Sequence, residues 1–289
     1  RRIYCPGVGD DTACLVCLLL AGKYIARHMD SPSWREIRGE DAPGLLLVCN
    51  AGEEGLGNLK GVRKICEDYG GRIKSFCTFD SSLSSIVDRV VGSKRFRVKV
   101  RTRGGHSYND FGNDNAIAGL ASLVGKLYKI QVPEGGKTTY NVGMISGGTS
   151  VNTIAQEAEM LYEFRSDKRE NLEYMERQFM EVLDRAKAEG MDVSFQVIGV
   201  RPCEGQVDPA QKQALTDWAH RVVEEMTGQP PKHHAGSTDC NIPLSLGIPS
   251  VCVGSFRGAG AHTREEYVET DSLEEGYKVA FGMIFGRRD

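Results

Sequence analysis

The sequence predicts an α/β fold, in which a catalytic domain with a mostly parallel sheet carries an inserted α+β domain. Apolar strands alternate with amphipathic helices in the first and last parts of the chain, which is typical of parallel sheets joined by helical crossovers. The middle of the chain instead shows one-sided strands and two helices in the order βαββαβ. The chain has 289 residues, 40% of them hydrophobic, which suffices for one large domain or two smaller ones.

The outer elements are predicted from apolar runs and from the residues that bound them. An apolar run predicts a helix over residues 11–28, and another helix is predicted over 208–228, with Pro209 in its first turn and Gly228 just past its end. Short apolar runs next to glycine, proline or aspartate predict buried strands. They are GLLLVCN (44–50), SFCTFD (75–80) and GIPSVCVG (247–254).

The middle region starts with KRFRVKVRTR (94–103), in which Phe96, Val98 and Val100 alternate with basic residues. This alternation predicts a strand with one buried and one solvated face. The further predicted elements are a helix over 113–130, strands at TYNVGMIS (139–146) and EAEMLYEFRS (157–166), a helix over 170–190 and a strand at DVSFQVIGV (192–200). We therefore predict an outer domain of residues 1–95 and 202–289, with residues 96–201 inserted.

Charge and composition argue against several classes of partner. A net charge of -3 provides no electrostatic basis for binding nucleic acid. No apolar run approaches the roughly 20 residues that span a bilayer, so no membrane association is expected. The nine cysteines are an odd number, and most lie among apolar neighbours. We interpret them as reduced, buried thiols of a cytoplasmic protein.

Acidic residues stand at the ends of several predicted elements. They are Asp10 and Asp11 in GVGDD, Glu53 and Glu54 in NAGEEGLG, and Asp80 in FDSS, with His262 in the later turn GAGAH. Ligands of open α/β sheets bind outside the carboxyl ends of the strands, so we expect these side chains to converge. Crowded carboxylates repel one another, and a divalent metal removes that repulsion. Such ligands suit zinc, or less specifically cobalt or manganese, and the surplus of acids favours two ions bridged by one carboxylate.

Seven stretches together resemble a known family. They are GVGDDTACL, NAGEEGLGNLKG, FDSS, RGGHS, NVGMISGGTSVNTIAQEAEMLYEFRS, GSTDCNIPLSLGIPSVCVG and GAGAHTREEYVETDSL, in family order over essentially the whole chain. The family is that of the co-catalytic zinc amidohydrolases, which includes peptidase T, bacterial glutamate carboxypeptidase, acetylornithine deacetylase and aminoacylase. Peptidase T-like members are the most similar.

The resemblance implies roles for the acidic residues that their spacing alone does not assign. Asp10 would bridge two zinc ions, Glu54 and His262 would complete one site, and Asp80 would bind the other ion. Glu53 would be the general base that takes a proton from the attacking water and passes it to the leaving amine. The resemblance also implies a cis peptide bond between Asp10 and Asp11.

Further roles implied by the resemblance fall in the inserted domain. Residues 96–201 would form a homodimer, and His106 would stabilise the oxyanion, in the partner subunit's site. Asn152 and Arg165 would hold the substrate, with Arg165 binding a carboxylate through two hydrogen bonds. A purely structural ion pair for Arg165 is the alternative.

The sequence departs from the family at its start. Family members carry a His-x-Asp motif upstream of the GDD stretch, and its histidine binds the same metal as Asp80. The present chain begins nine residues before Asp10, so the motif is absent from it. We expect the site of Asp80 to lack one ligand and the activity of this chain to be impaired.

Three functions stay open at this point. The first is zinc-dependent hydrolysis of small peptides by an aminopeptidase, tripeptidase or dipeptidase. The second is deacylation of N-acyl amino acids by the same chemistry, and the sequence does not separate it from the first. The third is metal binding without catalysis. Glu53 argues against the third, because binding alone does not require a base.

Overall fold

The computed structural model describes residues 1–32 and 44–285. The chain divides into two compact units, one of residues 1–90 with 205–289 and the other of residues 91–204. The helices are α1 (Cys14–His28), α2 (Lys60–Tyr69), α3 (Ala116–Leu127), α4 (Arg169–Ala188), α5 (Pro209–Thr227), α6 (Asn241–Ser245) and α7 (Ser272–Phe285). The strands are β1 (Arg2–Tyr4), β2 (Phe76–Phe79), β3 (Ser85–Val90), β4 (Gly92–Arg101), β5 (Gly105–His106), β6 (Thr138–Gly147), β7 (Thr153–Ile154), β8 (Glu157–Ser166), β9 (Asp192–Arg201), β10 (Lys232–Gly236), β11 (Ser250–Val253), β12 (Gly258–Ala259) and β13 (Tyr267–Glu269).

The first unit is built on a four-stranded sheet in the order β10–β3–β11–β2. The pairs β10–β3 and β11–β2 are parallel, and β3–β11 is antiparallel. Alternate residues of β11 enter different apolar clusters: Val251 and Val253 pack with residues of α1, α5 and α7, whereas Cys252 packs with Cys240 and Leu244 around α6. Because successive side chains of a strand point to opposite faces, helices cover both faces, as expected of an α/β sheet.

A small antiparallel sheet, in the order β1–β13–β12, joins the start of the chain to its last part. Ile3 of β1 lies opposite Val268 of β13, and the backbone N–H of Cys5 donates to the carbonyl of Glu266 at 3.0 Å. This pairing holds the segment before Asp10 beside the segment after His262.

The second unit is an antiparallel sheet in the order β6–β8–β4–β9, with α3 and α4 packed on it. Phe96, Val98 and Val100 of β4 are buried in a core that also contains Leu120 of α3 and Phe179 of α4. The alternation in β4 therefore places its apolar residues under both helices, as the sequence predicts. A two-stranded ribbon, β5–β7, lies apart from this sheet in the hydrogen-bond order.

The α/β fold class is confirmed, and the predicted helices and most predicted strands lie within a few residues of the observed bounds. The sequence patterns do not predict every element. They miss the helices α2, α6 and α7 and the strands β1, β3, β5, β7, β10, β12 and β13. Of these, β3 and β10 belong to the main sheet of the first unit and carry polar residues such as Asp88 and His233. None of the described helices has both the length and the apolar character needed to cross a membrane. The nine cysteines, all within the described residues, form no disulfide with one another.

The strand predicted at residues 44–50 is wrong. These residues form neither strand nor helix, and Leu45, Leu46 and Leu47 are 44%, 52% and 41% exposed. A strand requires a neighbouring backbone to pair with. Here residues 44–50 and β2 instead line one cavity of about 930 Å³, and no described strand forms a ladder with the segment.

Candidate metal centre

The first part of the site is an irregular turn over residues 8–13 that leads into α1. Gly7 has a φ of 76°, in the left-handed region that glycine adopts most easily. The peptide bond between Asp10 and Asp11 is cis, as the family resemblance predicts. The turn leaves the side chain of Asp10 at 18% exposure at the start of the helix.

The glycines around Glu53 and Glu54 form the second part. Gly52 and Gly55 have positive φ angles of 84° and 48°. A Cβ on Gly57 would lie 2.6 Å from the carbonyl oxygen of Gly52, so the chain folds back on itself only with glycine at this position. The prediction that glycines supply the turn after the paired glutamates is confirmed. The turn leaves Glu54 exposed and Glu53 half-buried.

His262 lies in the third part, a tight turn near the end of the chain. It adopts a φ of 67°, and the N–H of Thr263 donates to the carbonyl of Gly260 at 3.0 Å. Its imidazole Nε2 lies 3.0 Å from Oδ2 of Asp10 and 3.9 Å from Oε1 of Glu54. One ligand atom from each of these three residues lies within 4.8 Å of the others. A divalent ion fits this separation and this mixture of carboxylate and imidazole donors.

Asp80 follows β2 and belongs to a second group of acids beside the first. Its backbone N–H donates to the carbonyl of Val253 at 3.1 Å, which fixes it at the end of the parallel pair β2–β11. Burial, and after it the charges of Asp10 and Glu53, raises the pKa of Asp80 to about 7. A bound cation would lower this raised pKa and would keep the carboxyl group of Asp80 ionised.

Asp11 shows the same crowding. Burial and the charge of Asp80 raise the pKa of Asp11 to about 8, against the opposing effect of a hydrogen bond with Cys14. The thiol of Cys14 is itself buried, and burial raises its pKa well above the usual range. The ionised form of Asp80 therefore opposes ionisation of Asp11, and a nearby cation would lower the pKa of both carboxyl groups.

Asp239 is an acidic residue that the sequence reading left without a role. It is 6% exposed, accepts a hydrogen bond from Nδ2 of Asn50 at 2.7 Å, and contributes to the raised pKa of both Asp11 and Asp80. It also lines the cavity of about 930 Å³ with Glu53 and Asp80. Its position directly before α6, within the matched stretch GSTDCN, is the signal from which it could have been found.

Glu266 is a second residue that the sequence reading missed. It is 3% exposed, and its carboxylate accepts hydrogen bonds from the backbone N–H groups of Gly7, Gly9 and Asp10. Desolvation raises the pKa of Glu266, but these hydrogen bonds and the nearby His262 together lower it by more, so it lies below the ordinary value. Glu266 lies within the matched stretch GAGAHTREEYVETDSL, but no local pattern indicates that this carboxylate binds the backbone before Asp10.

His106 lies in the second unit, in the β5–β7 ribbon. Its backbone N–H donates to Oδ2 of Asp110 at 2.7 Å, and its Nδ1 accepts from the backbone N–H groups of Tyr108 and Asn109 at 3.3 and 3.4 Å. In the neutral ring the proton therefore resides on Nε2. The side chain is exposed, so this Nε2–H is an available donor.

Asn152 lies next to His106 in the same unit, whereas Arg165 does not. The carbonyl of Asn152 accepts from the N–H of Ser107 at 3.0 Å. Arg165 is near the far end of β8, about 26 Å from Glu157 at the usual rise of a strand, and its guanidinium holds Glu163 through contacts of 2.8 and 3.1 Å. Within one copy of the chain, the structure does not bring Asn152 and Arg165 together.

Comparison with known proteins gives a family for the second unit. Residues 90–191 match the family model M20_dimer, the peptidase dimerisation domain. A homolog of p-aminobenzoyl-glutamate hydrolase from Haemophilus influenzae is 34% identical over 191 residues. The match covers 59% of the present chain and 42% of that relative, so the chain spans less than half the length of this curated protein.

Solved structures share the fold over nearly the whole chain. The aminopeptidase PepT from Bacillus cereus superposes with a TM-score of 0.69 at 21% identity, covering 96% of this chain and 70% of that one. A tripeptidase from Staphylococcus aureus superposes with a TM-score of 0.71 at 20% identity and the same coverage. These structural matches establish similarity of fold. The match to the peptidase dimerisation domain and the 34% identical relative are what bear out the resemblance to M20 peptidases and amidohydrolases.

Proposed function

Because the chain is a homologue of the M20 peptidases and amidohydrolases, we propose that it hydrolyses peptide or amide bonds in small substrates with the help of bound zinc. The observation that carries this proposal is the group of Asp10, Glu54 and His262, whose ligand atoms lie within 4.8 Å of one another. Acids with raised pKa values, Asp11 and Asp80, lie beside this group. An arrangement of this kind is stabilised by a divalent cation.

Zinc would be held at one site by Asp10, Glu54 and His262 and at a second by Asp10 and Asp80. When bound, zinc supplies Lewis-acid polarisation of a carbonyl group and lowers the pKa of water to about 7. The same donor atoms accept cobalt or manganese. These assignments are supported by the family resemblance and by the chemistry of the donor set.

Glu53 would act as the general base. Its side chain lines the same cavity as Asp10 and Asp80. Glu53 directly precedes the proposed ligand Glu54, so the glycine-rich turn would place the base Glu53 beside a metal ligand. Its carboxylate would take a proton from water and transfer it to the departing amine. A positioned base of this kind accelerates hydrolysis by roughly 10²- to 10⁴-fold.

The second unit would form the dimer interface and would provide the polar side chains that contact the substrate. The exposed Nε2–H of His106 would donate to the oxyanion in the partner subunit's site, and Asn152 would orient the substrate beside it. Arg165 would release the carboxylate of Glu163 and bind a carboxylate of the substrate in its place. Because Asn152 and Arg165 are far apart in one copy, we propose that they serve different sites of the dimer.

The dimer would form through the outer edge of β6. This strand pairs on one side with β8, and no other described strand forms a ladder with it. Exposed apolar side chains are present on β6 and on the adjoining α3 and its C-terminal end: Met144 is 50% exposed, Ile145 is 55%, Ile117 is 44% and Tyr128 is 48%. Such an edge is suited to pairing with a second copy of the chain.

A deacylase or N-acyl amino acid hydrolase is the second candidate. The observation that favours it is the 34% identity to the p-aminobenzoyl-glutamate hydrolase homolog, whose name describes an amide of an amino acid. The chemistry would be the same and the substrate would differ. A third candidate, a homologue that binds metal without catalysis, leaves Glu53 without a role.

A hydrolysis screen separates these candidates. The chain is incubated with zinc and a panel of dipeptides, tripeptides, N-acetyl amino acids and p-aminobenzoyl-glutamate, and released amine is quantified. Preferential release from peptides with a free amino terminus supports the first candidate, and release from the acylated compounds supports the second. Stoichiometric zinc binding without any hydrolysis would favour the non-catalytic candidate.

A further inference from the structure

A buried carboxylate joins two segments that carry metal-ligand candidates. Glu266 is 3% exposed and precedes β13. Its Oε2 accepts from the N–H of Gly7 at 2.7 Å, and its Oε1 accepts from the N–H groups of Gly9 and Asp10 at 2.9 and 2.8 Å. Both oxygens therefore accept hydrogen bonds from the backbone of residues 7–10, where the turn that leads into α1 begins.

The backbone around Glu266 is held to the turn of His262. A Cβ on Gly260 would lie 3.0 Å from the carbonyl oxygen of Glu265 and 3.1 Å from Cα of Glu266, so the turn closes tightly against this segment. The hydroxyl of Thr263 donates to the carbonyl of Gly260 at 2.7 Å and accepts from the N–H of Glu265 at 3.2 Å. Glu266 is thus the end of a short, hydrogen-bonded turn that contains His262.

The fit between Glu266 and the Asp10 turn is tight. A Cβ on Gly9 would lie 2.6 Å from the ring of Phe256 and 3.1 Å from Oε1 of Glu266. No larger residue fits between the ring and the carboxylate without a shift. The position of the Asp10 backbone is consequently defined from one side by Phe256 and from the other by Glu266.

We propose that Glu266 is a positioning residue that sets the separation of Asp10 and His262, and thereby the affinity and geometry of the metal site. The proposal rests on the proposed function, because it assumes that Asp10, Glu54 and His262 bind metal. Glu266 would not bind the ion, since its two oxygens already accept three N–H groups. It acts instead on the two ligands that approach each other from distant parts of the chain.

Glutamine at this position tests the proposal with little change in shape. An amide retains one acceptor oxygen and presents an NH₂ group to the remaining backbone donors, so at least one N–H of the turn loses its partner. Outer groups that orient metal ligands typically alter metal affinity by 10- to 100-fold when they are replaced. We expect Glu266→Gln to weaken zinc binding at this site by about that factor.

The matched control is Glu265→Gln, the same substitution at the neighbouring exposed residue. Zinc is titrated by calorimetry in competition with a chelator. The zinc-binding phase that disappears in His262→Ala is assigned to the site of Asp10, Glu54 and His262. Cobalt-loaded protein supplies a second readout, because its visible absorption reports coordination geometry. The proposal expects weaker zinc binding and an altered cobalt spectrum in Glu266→Gln, with both unchanged in Glu265→Gln and similar melting curves for all metal-free proteins.

Wild-type affinity and an unaltered cobalt spectrum in Glu266→Gln would overturn the positioning role while leaving the metal centre intact. If this variant does not fold, Glu266→Asp decides: it keeps the charge but is one methylene shorter, and it should bind zinc more weakly than wild type. Equal affinity in Glu266→Asp would overturn the proposal. A wild-type protein without any zinc phase that depends on His262 would remove the proposed metal centre itself, and the positioning role with it.

Discussion

Nε2 of His262 lies 3.0 Å from Oδ2 of Asp10, although the two residues belong to opposite ends of the chain. The pairing of β1 with β13 brings the two ends together, and Glu266 accepts N–H groups from the turn that carries Asp10. The contact therefore depends on the folded first unit rather than on any local motif. Oε1 of Glu54 lies 3.9 Å from the same nitrogen of His262, so all three proposed ligands meet at this contact.

Replacement of Glu53 tests the general base. Glu53→Gln should retain zinc binding and lose about 10²- to 10⁴-fold in turnover, because an amide cannot accept and release the proton. Zinc calorimetry and the amine-release assay measure the two effects separately. Glu67→Gln, at a side chain with 74% exposure on α2, is the control and should behave as wild type. Turnover of Glu53→Gln within a few-fold of wild type would exclude Glu53 as the base.

Mixed dimers test whether His106 acts in the partner's site. His106→Ala alone should lower turnover by about 10²- to 10³-fold, the usual effect of losing one oxyanion donor. If Glu53→Gln and His106→Ala protomers are mixed and allowed to exchange, one site of each mixed dimer regains both groups, so activity should reappear. His234→Ala is the control for loss of an exposed histidine. Mixtures as inactive as the separate variants would place His106 in its own protomer's site or outside catalysis.

A charge introduced on the outer edge of β6 tests whether this edge forms the proposed dimer interface. Ile145→Lys should convert the dimer into a monomer, because a lysine on an edge strand opposes pairing with another strand. The measurement is mass by light scattering during size-exclusion chromatography. Val197→Lys introduces the same charge on β9, at the opposite edge of the sheet, where the replaced residue is 42% exposed. Dissociation by Val197→Lys with a persistent dimer in Ile145→Lys would assign the interface to the other edge.

Zinc titration tests the order in which the two sites fill. The site of Asp10, Glu54 and His262 should bind zinc more tightly than the site of Asp10 and Asp80, because affinity rises with the number of oriented, deprotonated ligands. His262→Ala should remove the tight phase in calorimetry, and Asp80→Asn should affect the weak phase. Two tight phases of equal affinity would show that an unidentified ligand completes the second site.

The metal-free chain should lose stability as pH rises. Burial raises the pKa of Asp11 to about 8 and that of Asp80 to about 7, whereas an unfolded aspartate has a pKa of about 3.9. Between these values the folded state holds more protons than the unfolded state, so its stability falls with increasing pH. The stabilising contribution is complete below about pH 4 and lost as pH rises through the folded pKa values.

Melting temperatures between pH 5 and 9, recorded in the presence of a chelator, measure this dependence. Asp11→Asn cannot ionise and should flatten the decrease, whereas Asp30→Asn, at an exposed residue after α1, should not. Excess zinc should also oppose the decrease, because the cation stabilises the ionised carboxylates. A melting temperature that stays constant or rises from pH 5 to 8.5 without metal would contradict the burial argument.

The sequence alone determined the fold class and those elements that have a clear apolar pattern or clear end signals. Phe96, Val98 and Val100 alternate with basic residues because one face of β4 is buried under helices. The local sequence period is therefore sufficient to predict this strand and its buried face. Pro209 and Gly228 mark the ends of α5 for equally local reasons, since one suits the first helical turn and the other adopts a φ of 70° just after the last. The glycines around Glu53 and Glu54 likewise predict their turn.

Only the tertiary structure decided which segments pair and which side chains meet across long distances in the sequence. The apolar segment 44–50 has the composition of a buried strand, yet it lies beside a cavity because pairing depends on a neighbouring backbone. Arg165 meets Glu163, two residues away on the same strand, and its distance from Asn152 follows from the length of β8. Glu266 binds the turn of Asp10 only because β1 and β13 pair. Contacts between distant segments arise from the whole fold, and for that physical reason no short motif specifies them.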